Sequence, residues 1–405
     1  MNIQPKIRGI GYTDNWNTWK VGEKTKSFSG GTPKSSDKSF YGGYIPFIRS
    51  GEINSDITEL FITEEALNNS SAKMVAKGDI LYALYGATSG EVSLSKIKGA
   101  INQAILAIKP NNGNSSEFIM NYLKKKKDTI LRKYLQGGQG NLSASIIKNI
   151  EIGFPSQEEQ HAIGTLFRTL DDLLASYKDN LANYQSLKST MLFKMFPKAG
   201  QTVPEIRLDG FEGEWKFIKL GEAILEAYQG INTASDKVEY SISGIPILQA
   251  KHITNGQINY RDTRYLDMDI YEHYISKYMP KKGEILFANI GTIGPSVLVD
   301  SDEMFLIAWN ILKMSIKENY SPVFIKITLS LLDSKHIFER ITTGNATKFI
   351  NKDEIMDIRI SVPSLEEQQA IGIYFSNLDN LIAAHQEKIS QLETLKKKLL
   401  QDMFM

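Results

Sequence analysis

The segment PSQEEQHAIGTLFRTLDDLLA at 155–175 returns 208 positions later as PSLEEQQAIGIYFSNLDNLIA at 363–383, with 13 of 21 residues identical. A repeat this specific constrains the fold before any single motif does, because the chain must hold two copies of whatever structure the segment serves. The correspondence runs further. PKIR at 5–8 answers PEIR at 204–207, and Trp16 with KVGE answers Trp215 with KLGE, both 199 apart. IPFI at 45–48 answers IPIL at 245–248, and KGDILYALYG at 77–86 answers KGEILFANIG at 282–291, 205 apart. The offset drifts only from 199 to 208 while the order is kept, so the halves are tandem domain duplicates with small loop insertions, not solenoid repeats. With 405 residues, each copy is long enough to bury its own core.

Each half has two parts of different character. The first 150 or so residues mix short apolar runs with turn signals: GGYIPFIRSGEIN, KGDILYALYG and GAINQAILAIKP read as strands, and SEFIMNYLKKKKDTILRKYL as an amphipathic helix. In the last 40 or so, Ile163, Phe167, Leu170, Leu174, Tyr177, Leu181, Tyr184, Leu187 and Met191 step by threes and fours with no glycine or proline after Gly164. The second copy repeats this at Ile371, Phe375, Leu378, Ile382, His385, Ile389, Leu392, Leu395, Leu399 and Met403. Such spacing predicts a coiled-coil seam. Pro155 ends the preceding strand, Ser156 is placed to cap, and Glu159 follows three residues later as in a capping box; Ser364 and Glu367 repeat the device. About 40 residues make a rod on the order of 60 Å. PKAGQTVPE at 197–205 breaks the first helix, so the second must run back antiparallel for the seams to meet.

The predicted fold class is α+β: a tandem pseudo-twofold repeat of two mixed α/β domains, a dumbbell separated by two long antiparallel helices forming a coiled coil. The predicted boundaries are a first domain at 1–154, a central helix at 155–196, a linker at 197–205, a second domain at 206–362 and a C-terminal helix at 363–405.

Composition narrows the function classes. The chain is 42% apolar and 23% charged, as in a folded globular protein. It has no apolar run of about 18 residues and its start lacks a signal-peptide layout, so the expectation is a cytoplasmic protein without a membrane partner. Cysteine is absent, which removes thiolate catalysis and cysteine metal sites. A net charge of +1 argues only weakly against nucleic-acid binding, since local basic patches coexist with acidic surface elsewhere. No Walker loop, no GxGxxG and no asparagine/aspartate-proline-proline-aromatic motif occurs. The five histidines, His161, His252, His273, His336 and His385, have no counterparts across the repeat and no metal-ligand spacing. No catalytic or metal residue is predicted.

Identity between the halves is high where the long helices begin and low in the loops, for example RSGEIN from Arg49 against QAKHIT from Gln249. A shared scaffold with divergent loops suits the reading of two different half-targets at a set distance, and DNA offers half-sites about 34 Å apart on one face. The doubled PSxEEQxAIG with FxxLDxLxA after it, and the closing KMF and DMF, resemble the specificity subunit of Type I restriction-modification enzymes across essentially the whole chain. The resemblance implies two target recognition domains reading the halves of a bipartite site in double-stranded DNA. It also implies helices that separate the domains and dock two methyltransferase subunits, and two restriction/translocase subunits in the full complex. Adenine methylation with S-adenosylmethionine and cleavage with ATP and magnesium then belong to those partners, with no cofactor in this chain. Two other classes stay open: a two-domain coiled-coil scaffold or regulator that binds proteins, and an enzyme with an unfamiliar site.

Candidate DNA contacts fall in three pairs of loops. The first pair follows a strand and carries Arg49, Ser50 and Glu52 in one half and Gln249, Lys251 and His252 in the other; its alternative is a solvated turn. The second is glycine-rich, YGATSG at 85–90 with Thr88 and Ser89, and NIGTIG at 289–294 with Asn289 and Thr292, for which tight-turn geometry is the alternative. The third precedes the long helices and carries Gln139 and Asn141, then Asn345, Thr347 and Lys348. The run KKKK at 124–127 reads as a solvated helix face or a phosphate clamp. Tyr177, Tyr184 and the KMF and DMF ends are further candidates for methyltransferase contact.

Overall fold

Runs of β-branched and aromatic residues bounded by glycine build the strands, and the 3.6-residue stripes build the helices. The computed structural model describes residues 4–111, 113–135, 141–254, 256–344 and 347–404. It divides into two units, Met1–Asp179 with His385–Met405, and Asn180–Ala384. The long helices run over Gln157–Lys194 and Leu365–Asp402, 38 residues each, and each unit holds one mixed domain with part of both.

In the first unit, four strands form an antiparallel sheet in the order Thr25–Ser29, Ile105–Pro110, Ile80–Ala83, Val92–Leu94. A second sheet orders Phe61–Ile62, Tyr41–Ile48, Gly99–Ile101 and Lys73–Val75, with Ile48 and Ile101 paired in parallel. The run GAINQAILAIKP, read as one strand, is therefore two. Asn102 breaks it with a turn in which its side-chain oxygen accepts from Ala104 N–H at 3.1 Å. The second unit repeats this plan: Ile224–Gln229, Ile311–Ile316, Ile285–Ile290 and Thr292–Leu298 form one sheet, and Arg264–Leu266, Ile245–Leu248 and Leu306–Ile307 another. Leu248 and Ile307 form the matching parallel pair.

The proline, the serine, the second glutamate and the glutamine of PSxEEQ each make the same contact in both units. The Ser156 and Ser364 hydroxyls accept from the N–H of Glu159 and Glu367, both at 3.3 Å. Those glutamates do not complete a capping box. Glu159 is buried and receives Arg8 in two bonds of 2.6 Å, and Glu367 receives Arg207 at 2.8 and 2.7 Å. PKIR and PEIR repeat because each arginine belongs to the helix start of its own unit. The buried Gln160 accepts from Ser115 N–H at 3.2 Å and donates to Pro155 O at 3.1 Å; Gln368 does the same with Ser321 and Pro363, both at 3.0 Å. Ser115 and Ser321 cap the domain helices Ser116–Tyr134 and Pro322–Ser334, so each glutamine ties two helix starts together. Gly164 lets them approach, since a Cβ there would lie 2.8 Å from that of Glu117.

The predicted seam divides its labour. Ile163 and Phe167 belong to the domain core of the first unit, whereas Leu170 and Leu174 meet Leu392 in a separate cluster with Tyr177 and Ile389 packed around it. Asp171 pairs with Lys396, and Lys178 with Glu393 at 2.6 Å, so numbers rise along one helix and fall along the other: they are antiparallel. In the second unit Lys188 pairs with Asp379, and Leu192 and Phe196 share the core with Ile371, Phe375 and Leu378.

The KMF and DMF ends are not docking surface. Phe404 is 2% exposed and lies 5.4 to 5.5 Å from the rings of Phe118, Tyr122 and Phe167. Phe196, 3% exposed, stacks on Phe324 at 5.5 Å and meets Trp215 edge-on. The lysine run is neither a clamp nor a uniform solvated face. Burial lowers the Lys124 pKa, as does nearby Lys396; Lys125 donates to Gln401 O at 2.7 Å, in the last turn of the long helix, and to Phe404 O just past its end at 3.0 Å. Lys126 lies over the Tyr122 ring and Lys127 pairs with Glu91.

Candidate nucleic-acid interface

Strand direction decides where the loops emerge. In the first unit Ser29 pairs with Leu106, Ala83 with Ile105 and Ile48 with Ile101, so the turns after all four strand ends leave from one edge. Cross-links hold them there: Gly31 N–H to Ile101 O at 3.2 Å, Leu84 N–H to Ala104 O at 2.8 Å, and Leu142 N–H to Leu84 O at 2.9 Å. A bridge between Tyr85 and Asn141 joins the glycine-rich loop to the segment before the long helix. The second unit gathers its loops the same way. Asn289 N–H donates to Asn310 O at 3.3 Å, Gly291 N–H to Lys348 O at 2.8 Å, and Ile350 N–H to Asn289 O at 2.9 Å. Ala250 N–H donates to the Asn310 side chain at 3.2 Å.

Within each edge the sequence-predicted residues have different tasks. Arg49 is half-exposed, but its guanidinium is engaged by Glu52 at 2.9 Å and Glu59 at 2.6 Å. Glu52 turns back to accept Arg49 N–H at 3.0 Å, which closes the 3-10 turn Ser50–Glu52. Burial opposes its charge, yet Arg49 and the backbone amides outweigh it and hold the Glu52 carboxyl down to about 2. His252 does for Ala250–His252 what Glu52 does in the first unit: its Nδ1 accepts Gln249 N–H at 2.8 Å. Burial and neighbouring Lys251 push the His252 pKa down, against Asp262. Ser89 is buried, its hydroxyl donating to Leu84 O at 3.2 Å. Asn289, 2% exposed, forms a reciprocal amide pair with Gln229 at 2.8 and 3.2 Å and donates to Ile350 O. Glu52, Ser89, His252 and Asn289 thus hold the frame.

Ser50, Thr88 and Gln249 are partly exposed, and Asn141, Lys251, Thr292, Thr347 and Lys348 face solvent. Gln139 and Asn345 lie outside the described residues. Among the described residues neither Lys251 nor Lys348 has an ion-pair partner, so the second edge presents free cations where the first presents a compensated arginine. Two edge residues escape the sequence reading. Gln103 and Trp309 sit at matching turns after Ile101 and Ile307, both exposed; aligning GAINQAILAI with LIAWNILKM across the repeat would have found them.

The histidines have local partners: His161 meets Gly113 O at 3.1 Å, His336 meets Glu339 at 2.9 Å, and His273 and His385 pack on Tyr274 and Tyr177. Among the described residues no group of three His, Cys, Asp or Glu is arranged to hold a metal ion, and no helix is long and apolar enough to cross a membrane.

Comparison with known proteins agrees with this architecture. A family model described as Type I restriction modification DNA specificity domain matches residues 13–183 and again 212–394. The MjaVIII specificity subunit of Methanocaldococcus jannaschii is 23% identical over 412 residues, covering 98% of this chain and 93% of its own. The EcoR124I/EcoR124II specificity subunit of Escherichia coli is 27% identical over 173 residues, 40% of this chain and 43% of its own. Among solved structures, the S subunit of a Type I restriction-modification system from M. genitalium superposes with a TM-score of 0.67 at 18% identity, covering 100% of this chain and 99% of that one. With two matched copies spanning most of its length, the chain belongs to the Type I restriction-modification DNA specificity domain family.

Proposed function

We propose that this chain is the non-catalytic specificity subunit of a Type I restriction-modification complex, with each globular domain reading one half of an asymmetric bipartite site in double-stranded DNA. One observation carries the reading: each unit gathers its divergent loops at one sheet edge, while the parallel strand pair and the helix-start contacts beneath are repeated in both. Ser50, Thr88, Asn141, Gln249, Lys251, Thr292, Thr347 and Lys348 are the proposed contacts, with Arg49, Glu52, Ser89, His252 and Asn289 as positioning residues; Gln139 and Asn345, outside the described residues, are proposed as contacts from the sequence alone. Phosphate contacts from Lys251 and Lys348 set orientation, and amide and hydroxyl groups address base edges. The recognition domains are assigned to 1–154 and 206–362, joined by 197–205. The helices at 155–196 and 363–405 set the gap and dock two methyltransferase subunits. Two restriction/translocase subunits complete the complex, which works in the cytoplasm, and S-adenosylmethionine, ATP and magnesium act in the partners.

The test is co-expression with a Type I methyltransferase subunit from the same source in a methylation-free host, followed by genome-wide mapping of methylated adenine. The expected result is a two-part motif with a fixed gap, whose halves change separately when 1–154 or 206–362 is exchanged. A complex that assembles, with a methyltransferase active on another specificity chain, yet writes no motif would overturn the reading.

A further inference from the structure

The turns that follow the parallel strands are equivalent in the two units, yet they display opposite chemistry. In the first unit the turn is Asn102, Gln103, Ala104; in the second it is Ala308, Trp309, Asn310. Trp309 sits where the second unit's loops meet. Its N–H donates to Ile231 O at 2.8 Å, its carbonyl accepts from the Gln229 amide, and Asn310 beside it binds both Ala250 and Asn289. Trp309 is 42% exposed, and no aromatic ring contact involves it among the described residues. A tightly anchored backbone thus holds a half-exposed indole at the edge where the loops gather, a rigid apolar surface placed for contact.

Gln103 is held differently. The Thr32 hydroxyl donates to its Oε1 at 2.5 Å, which fixes the amide of this exposed side chain and engages its acceptor rather than its –NH2 donors. The counterpart of Thr32 is Asn232, whose side chain accepts from Ser235 N–H at 3.1 Å, within its own turn. An indole offers no acceptor to orient, and among the described residues no side chain bonds the Trp309 ring.

We propose that Gln103 and Trp309 are specificity-determining residues, one in each half-site. Gln103 donates from its amide to an acceptor on a base edge, with Thr32 as its positioning residue. Trp309 makes an apolar contact with a thymine methyl group in the major groove. This inference rests on the DNA-reading function proposed above.

The experiment is the methylation map of the assembled complex carrying Trp309→Ala, Gln103→Leu or Thr32→Ala. Trp309→Ala should make one base pair degenerate in the half assigned to 206–362, lowering discrimination there about tenfold while the other half stays unchanged. Gln103→Leu and Thr32→Ala should blur one shared position in the other half. Trp309→Phe, which keeps an apolar ring, should preserve the motif, and Trp309→Gln should alter it, so the comparison stands even if the alanine variant fails to assemble. A wild-type bipartite motif that all these variants leave intact, or that weakens evenly in both halves, overturns this inference alone. If wild type writes no motif, the proposed function itself fails.

Discussion

Replacing Arg8 with alanine removes one side of a buried ion pair and leaves the other in place. Glu159 is 1% exposed at its side chain and Arg8 12%, and two bonds of 2.6 Å join them. Stranding a buried charge costs about 3–5 kcal/mol. The guanidinium lies at the mouth of the site, so water entering the vacated space offsets part of this, and about 2–4 kcal/mol is expected. In a unit of this size, 3 kcal/mol corresponds to a Tm lower by roughly 6–12 °C, readable by calorimetry of the full chain. Arg8→Met with Glu159→Leu should recover most of the loss, because neither partner then leaves a charge behind. Arg207→Ala should produce the same deficit in the second unit, where Glu367 is 2% exposed. A single variant within about 0.5 kcal/mol of wild type, or a double variant as unstable as the sum of its parts, would refute the assignment of the motif glutamate to ion pairing.

The remaining predictions concern the same frame. Phe404→Ala and Phe196→Ala should each cost about 3–5 kcal/mol by urea unfolding, since both rings fill aromatic clusters; a loss below 1 kcal/mol would place them at the surface. Gln160→Leu strands the Ser115 N–H and the Pro155 carbonyl and should cost about 2–4 kcal/mol, with faster amide exchange at the start of Ser116–Tyr134. The two 3-10 turns should differ in acid sensitivity. The Glu52 carboxyl, held down to about 2, keeps its contribution above the ordinary carboxylate range and loses it as pH falls toward 2. His252 is depressed from 6.5, so the second unit loses stability as pH falls below 6.5, where the unfolded chain takes up a proton that the buried ring resists. Amide exchange at pH 7 and pH 5 should show loosening around 249–252 and none around 49–52; equal loosening would refute it.

The architecture was largely readable because its signals are local. Apolar periodicity places a long helix wherever it occurs, and each helix came out at 38 residues beginning just past PS. Matching the halves against each other needed only the letters, and the serine cap is a contact over three residues. The sequence reading failed where a polar group had a partner far away in the chain. Glu159 stands at the right distance for a capping box, but its partner is 151 residues away and binds it in two charge-assisted bonds, which outcompete one backbone amide. KMF and DMF, polar on one side and apolar on the other, stand at helix ends that look exposed until a domain core is packed against them.

In the interface the division follows from the same physics. Composition and turn chemistry identify a polar loop, yet a hydroxyl or amide serves equally to bind base edges or to satisfy neighbouring backbone. Ser89, Asn289 and His252 are buried while Thr88 is partly exposed and Thr292 and Lys251 face solvent, and neighbours in the same loops fall on opposite sides because of what packs around them, for Asn289 the distant Gln229 and Ile350. Gln103 and Trp309 show the converse, because only the parallel pairings of Ile48 with Ile101 and Leu248 with Ile307 bring their turns beside the loops they serve. The sequence by itself determined that this chain is two copies of one scaffold with differing loops, since repetition and period need no partner. Which polar side chains face outward was decided by the tertiary structure, because burial is a property of what packs against a residue.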